Sequence, residues 1–163
     1  MKKLYLTIIS SALLLCLIPL RASMACSTSS PLFTHFVYMF THASILHWIC
    51  NAWSLLVFHN LFSIPRLLVA YVLAVGLSFI PLWGLQRGGV LGMSVFVCFF
   101  LGLAARWLFI NNRPALLLSI VLLVLSCFLP GFAGAFHLIM FALGFVYMPV
   151  EILVKTIVDY VKG

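Results

Sequence analysis

Acidic residues are almost absent from this sequence. Glu151 and Asp159 are its only carboxylates among 163 residues, and charged residues of every kind make up 7% of the chain. Soluble domains usually carry about 25% charged residues, so this composition excludes an ordinary soluble domain. The shortage of acids also argues against a carboxylate-rich metal site and against a proton path built from acidic side chains.

Paired cysteines are missing too. None of the five cysteines forms a C-x-x-C pair with another. The pattern therefore supports neither a disulfide framework nor a metal knuckle, and we expect no metal and no cofactor. The net charge of +7 is scattered along the chain without a basic run, so we do not expect a nucleic-acid partner.

Apolar residues make up most of what is present. They account for 66% of the chain, and the mean hydropathy is +1.29, values that predict an integral membrane protein lying in a lipid bilayer. A crossing needs about 20 apolar residues, and without period-two alternation the crossings must be helices. We therefore predict an all-α fold, a polytopic bundle of six transmembrane helices forming a single domain over residues 1–163. The predicted spans are about 4–20, 44–62, 67–83, 91–110, 115–130 and 133–154.

Basic residues predict the orientation, because cytoplasmic loops retain Lys and Arg. With the N-terminus inside, the outer side receives only Arg21 and Arg87. The cytoplasmic side receives the other seven: Lys2, Lys3, Arg66, Arg106, Arg113, Lys155 and Lys162. This asymmetry predicts that both termini are cytoplasmic.

The first 25 residues allow a second interpretation. They are also typical of a cleaved secretory signal, or of a lipoprotein signal ending at Cys26, because Lys2 and Lys3 are followed by an apolar stretch and then by "RASMAC". We favour a retained first span, because the apolar run is long for a signal core and Ser23 stands where a lipoprotein site prefers an aliphatic residue.

Polar side chains occur at three places within the predicted spans. His47 and Asn51 are spaced i, i+4 and so share one helix face, shortly after His42. Ser94 follows the glycine-rich stretch "GGVLGMS" and opens the fourth span, where the helix dipole favours developing negative charge. His137 lies near the start of the sixth span. Because spans two, four and six run in the same direction, we expect all three groups at one depth, about 9–10 Å to the extracytoplasmic side of the bilayer centre.

A serine hydroxyl, a histidine and additional hydrogen-bond donors at one depth are the parts needed for acyl transfer. Glu151 lies 14 residues beyond His137, or about 21 Å along a helix, so Ser94 and His137 would form a dyad without an acid. Two other interpretations remain: the polar residues hold helices together, or they form the solute site of a small transporter or channel.

Three segments carry a resemblance to a known family. "FTHASILHWICN" is similar to an H-x-x-x-x-H-x-x-x-N element, "GMSVFVCFFLG" to a G-x-S-G block with a glycine eight residues after the serine, and "AFHLIMFALG" to A-H-x-x-G-x-x-x-G. In this order they resemble the rhomboid intramembrane serine proteases, in their minimal six-helix bacterial form, over about residues 33–147.

The resemblance implies an endopeptidase that cleaves transmembrane proteins near the extracytoplasmic side, and it places the chain in a bacterial inner membrane. It implies roles residue by residue. Ser94 would be the nucleophile and His137 the base, His47 and Asn51 would be oxyanion donors, and the structural residues would be His42, Gly92, Gly102 and Gly144.

Four positions depart from the family pattern: Val95, Cys98, Phe136 and Met140. Because glycine permits close approach of helices, we expect the contact between helices four and six to be looser or rebuilt. A different register would match the block to "GVLG", put Leu91 in the serine position and imply an inactive enzyme, but we disfavour it because it loses the match at Gly102. These departures leave open an inactive rhomboid-like protein that binds membrane clients.

Overall fold

The computed structural model describes residues 24–61, 63–81, 89–128 and 133–162. Within these ranges the chain is mostly helical and contains no β-strand, which agrees with the predicted all-α class. The described residues form six α-helices: α1 (Thr34–Val37), α2 (Ile45–Val57), α3 (Ile64–Ser78), α4 (Ser94–Asn111), α5 (Arg113–Ser126) and α6 (Gly134–Lys162). Short 3₁₀ turns follow α1 (Tyr38–Phe40) and α2 (His59–Leu61).

Local capping explains where three of these helices begin. Ser44 accepts a hydrogen bond from the His47 N–H at 3.1 Å, and Ser63 accepts one from the Arg66 N–H at 3.4 Å. Asn112 does the same for α5, accepting from the Ala115 N–H at 3.3 Å. Prolines in the first turns of α3 and α5 add a backbone angle already suited to a helix start.

The helices differ in length from the predicted spans. Spans 44–62, 67–83 and 115–130 correspond to α2, α3 and α5, which have 13, 15 and 14 residues. At 1.5 Å per residue these helices are about 20 Å long, short of the roughly 30 Å hydrocarbon layer. The sixth helix instead runs beyond the predicted limit of residue 154 to Lys162, through Pro149. The predicted first span lies outside the described residues.

Two helices, α4 and α6, are long and apolar enough to cross a membrane by length and composition. The apolar surface of α5 also points outward: Leu117, Leu118, Val121, Leu122 and Leu125 are all more than half exposed. An exposed apolar stripe of this kind is unusual on a soluble monomer and is typical of a surface that meets lipid or another protein.

Helix α4 lies at the centre of the bundle and packs closely on α6. A Cβ atom on Gly102 would overlap the Phe141 carbonyl oxygen, and one on Gly144 would overlap the Phe99 carbonyl oxygen. The two backbones therefore touch at these glycines, a mode of contact that small residues also permit between helices in membranes. Of the two expectations, a looser or a rebuilt contact, the looser one is wrong here, because the facing backbones lie too close at Gly102 and Gly144 for a Cβ atom.

An ion pair joins α3 to α6 far from Ser94. Arg66 Nε lies 2.8 Å from Glu151 Oε2, and Lys155 Nζ lies 2.8 Å from Glu151 Oε1. Arg66 also donates to the Leu61 carbonyl at 2.8 Å. The start of α3 is thus fixed against the later half of α6.

Candidate active site

Ser94 and His137 are in direct contact. Ser94 is the first residue of α4, His137 lies in the first turn of α6, and Ser94 Oγ is 2.8 Å from His137 Nε2. The close packing of the two helices brings these two positions together. Both residues are half-buried. At this distance a serine hydroxyl can pass its proton to an imidazole.

His47 and Asn51 meet at Gly92, two residues before Ser94. A Cβ atom on Gly92 would lie 2.8 Å from His47 Cε1 and 3.2 Å from Asn51 Nδ2. Gly92 also has a φ of +98°, which side chains other than glycine adopt only with strain. Glycine is therefore required here both by the lack of space for a Cβ atom and by the positive φ. Because Gly92 has no side chain, His47 and Asn51 can approach the start of α4.

Asn51 has an unused donor. Its side chain is 6% exposed, and Nδ2 makes no hydrogen bond with any residue in the described ranges. Buried polar atoms nearly always have a partner, so an amide left free beside Ser94 suits a group that binds an oxygen only during a reaction. The Ser94 and Val95 N–H groups add donors that precede the helical hydrogen bonds of α4, which begin with the Phe96 N–H bonding to the Met93 carbonyl.

His42 holds the chain that leads into α4. It is fully buried, its Nε2 accepts a hydrogen bond from the Met93 N–H at 3.3 Å, and its ring packs edge-on against His47 at 5.2 Å between centroids. Burial, followed by the proximity of His47, lowers the pKa of His42 from 6.5 to about 4. A neutral ring is the form that can accept the Met93 hydrogen bond.

The four departures from the family pattern are all packed into the core. Val95, Phe136 and Met140 are inaccessible, and Cys98 is 7% exposed. The Phe136 ring meets the Tyr38 ring edge-on, with centroids 6.2 Å apart, while the Tyr38 hydroxyl donates to the Ala74 carbonyl at 3.1 Å. Val95, Phe136 and Met140, which are larger than the residues of the pattern, are thus accommodated in the core without separating α4 from α6.

The segment around Cys26, which the sequence marks only as the end of an alternative lipoprotein signal, supports the loop before Ser94. Cys26 and Val90 exchange two main-chain hydrogen bonds, with N···O distances of 3.1 and 2.7 Å. The Cys26 thiol contacts His35 Nδ1 at 3.3 Å, and the same nitrogen lies 2.8 Å from Ser78 Oγ. The main-chain pairing could not be predicted, because it does not depend on residue type. His35, a polar residue in an apolar chain, could have indicated that a buried polar contact exists in this segment.

No acid orients the histidine of this pair. Asp159 lies further along α6 than Glu151, and Glu151 is occupied by Arg66 and Lys155. Within the described ranges, no group of three or more His, Cys, Asp or Glu side chains is placed to hold a metal ion. The site thus consists of a serine, histidines, an amide and main-chain N–H groups.

Comparison of this chain with protein-family models, with curated proteins and with solved structures gave no match.

Proposed function

We propose that this chain is an intramembrane serine endopeptidase of the rhomboid type. The observation that carries the proposal is the 2.8 Å contact between Ser94 Oγ and His137 Nε2 at the start of two closely packed apolar helices. The convergence of His47 and Asn51 on Gly92 supports it, because acyl transfer also needs donors for the oxyanion.

In the proposed mechanism, His137 Nε2 takes the proton from Ser94 Oγ as the oxygen attacks a peptide carbonyl. The protonated ring then gives this proton to the leaving amine, which forms the acyl-enzyme. The same nitrogen then takes a proton from a water molecule as its oxygen attacks the acyl carbonyl. The bond to Ser94 Oγ breaks, Ser94 Oγ takes the proton back from the ring, and the acid product leaves. With no carboxylate to orient its ring, His137 relies on its fixed place in α6.

The oxyanion of each tetrahedral intermediate would be held near Gly92. His47 and Asn51 would donate from α2, and the Ser94 N–H would donate from the first turn of α4. Donors already in place at the point where charge develops do not have to reorganise during the reaction.

The proposed setting is a bacterial inner membrane, with six transmembrane helices and both termini in the cytoplasm. The apolar α4 and α6 and the outward apolar stripe of α5 favour insertion. Helices α2, α3 and α5 would cross with the help of flanking turns and local thinning of the bilayer, since each is short. Ser94 would then lie near the extracytoplasmic surface, within reach of water.

The substrate class that fits is a transmembrane protein whose helix unwinds near its outer end. A peptide bond inside a helix is poorly exposed to attack, so a segment with weak helix propensity is needed at the scissile bond.

Labelling with a serine-directed fluorophosphonate tests the proposal. We expect the purified protein to be labelled, and Ser94→Ala and His137→Ala to lose the label because they remove the nucleophile and its base. Ser119→Ala is the matched control, since its hydroxyl donates only to the Ala115 carbonyl within α5. Labelling that survives both active-site substitutions would refute the dyad.

Cleavage of a transmembrane substrate separates the protease from an inactive client-binding protein. The purified wild type and Ser94→Ala are incubated in parallel with a substrate that has a helix-destabilising segment near its outer end. We expect cleavage by the wild type alone. A substrate that is bound by both proteins and cut by neither would favour the inactive alternative.

A further inference from the structure

Two apolar grooves meet at Arg106, at the end of α4 remote from Ser94. The first has a volume of about 670 Å³ and lies between α4 and the end of α2. The second has a volume of about 440 Å³ and lies between α4, α5 and α6. Arg106, Leu103 and Met148 line both grooves. The first groove is also lined by Val57, Leu61 and Trp107, and the second by Phe109, Phe145 and Ile152.

The charge of Arg106 is unpaired within the described residues. It forms no hydrogen bond or ion pair with any residue in the part of the chain that the structure describes, whereas Glu151 is shared by Arg66 and Lys155. Arg106 lies 106 − 94 = 12 residues after Ser94 on α4, about 18 Å along the helix. If Ser94 lies just beneath the outer surface, Arg106 lies in the cytoplasmic half of the hydrocarbon layer, where an unpaired cation is costly.

Arg113 is a second cation, and it contacts a residue of the smaller groove. The Arg113 guanidinium lies 4.8 Å from the centre of the Phe109 ring, and its Nε donates to the Phe109 carbonyl at 3.0 Å. Phe109 itself lines the smaller groove. Arg106 is the only charged residue in the lining of either groove among the described residues, and Arg113 lies next to Phe109 at the rim of the smaller one.

We propose that this end of the bundle binds one anionic phospholipid of the cytoplasmic leaflet. Its phosphate would pair with Arg106, with Arg113 nearby, and its two acyl chains would occupy the two grooves, one chain in each. Basic pockets between membrane helices on the cytoplasmic side are suited to anionic head groups, and two apolar grooves at one cation match a diacyl lipid better than a free anion. The inference rests on the proposed membrane insertion and not on catalysis.

Native mass spectrometry of the full chain in mild detergent tests the site. Phosphatidylglycerol is compared with phosphatidylcholine of identical acyl chains, and we expect one retained phosphatidylglycerol. Arg106→Gln should weaken its apparent affinity by about tenfold or more, because a charge-assisted pair is lost. Lys155→Gln removes the same charge from the same side of the membrane but outside the grooves, and it should retain the lipid. The Ser94→Ala protein should behave like the wild type, so this test is independent of protease activity.

The acyl chains are located by fluorescence. Phosphatidylglycerol brominated in its chains should quench Trp107, and Trp107→Phe should lose that quenching while still binding lipid. Equal retention of the two lipids, an equal loss in Lys155→Gln, or full competition by glycerol phosphate without chains would each overturn the proposal. A lipid-free dimer that covers the grooves would also overturn it. Thermal unfolding of Arg106→Gln close to that of the wild type verifies that the variant is folded.

Discussion

Three buried side-chain nitrogens have no hydrogen-bond partner among the described residues, namely His42 Nδ1, Trp48 Nε1 and Asn51 Nδ2, and Asn51 is the one that lies against Gly92. Its amide is buried and has no partner among the described residues, yet it lies against Gly92 beside the Ser94–His137 pair. We expect Asn51→Ala to lower the rate of substrate cleavage by about 10²–10³, with little loss of stability, because the amide would act mainly on the oxyanion. Cleavage rates and melting temperatures measured on one preparation check this.

The control for that variant lies on the same helix. Ser54 donates to the Cys50 carbonyl within α2, so Ser54→Ala should leave the cleavage rate unchanged. A large loss of stability in Asn51→Ala, with an unchanged rate per folded molecule, would contradict a role in oxyanion binding.

His42 should make stability depend on pH. Burial lowers its pKa to about 4, so between pH 6.5 and about pH 4 the unfolded chain binds a proton that the folded chain does not. Stability from this group is complete above pH 6.5 and falls as the pH decreases. We expect His42→Gln, which keeps an acceptor for the Met93 N–H but does not titrate, to lose less stability between about pH 7.5 and about pH 5. Melting curves of both proteins at the two pH values test this, and parallel losses would contradict it.

At the scale of the elements, the contact between α4 and α6 depends on two glycines. Gly102→Ala should destabilise the protein by about 1–3 kcal/mol or more, because the added methyl group would meet the Phe141 backbone and push the helices apart. The Ser94–His137 distance should increase as a result, so fluorophosphonate labelling should fall in parallel with the melting temperature.

Gly76 provides the control within the same chain. It lies inside α3 with no atom near the position of an added Cβ, so Gly76→Ala should be neutral or should stabilise the protein by about 0.5–1 kcal/mol. If the alanine at Gly102 were tolerated as well as the alanine at Gly76, the close approach of α4 and α6 would be wrong.

The sequence predicts the elements unevenly. Long apolar runs separated by Pro or Asn residues indicate that helices α2 to α6 exist. They do not indicate the terminal residues of these helices, which depend on caps such as Ser44 and on the extent of the packed surface. Helix α1 has four residues and no apolar repeat of its own, so nothing in the sequence marks it. The pairing of Cys26 with Val90 is equally invisible, because main-chain hydrogen bonds do not depend on residue type.

The geometry of the site was more predictable than these helix ends. The i, i+4 spacing of His47 and Asn51 predicts a common face, and both side chains do meet Gly92. A shared depth for Ser94 and His137 follows from helices that run in one direction, and their side chains are in contact. Depth alone does not predict which faces turn toward each other, since that depends on Gly102 and Gly144.

At the scale of the whole molecule, the distribution of charge predicts the orientation. The Arg66–Glu151–Lys155 cluster lies at the end of the bundle away from Ser94, and that end should face the cytoplasm. A green fluorescent protein fused after Gly163 should therefore fluoresce in bacterial cells, whereas alkaline phosphatase at the same position should be inactive. The reverse pair of results would invert the orientation and place the dyad on the cytoplasmic side.

The free amide of Asn51 has a consequence for the molecule at rest. A buried donor without an acceptor raises the free energy of the folded state, and this cost is absent from the unfolded chain, where water supplies the acceptor. A small molecule that places an anionic oxygen near the Asn51 amide, such as a boronate bound at Ser94, would supply the missing hydrogen-bond acceptor in the folded state only. Such a compound should raise the melting temperature of the protein, and the increase should be smaller in Asn51→Ala.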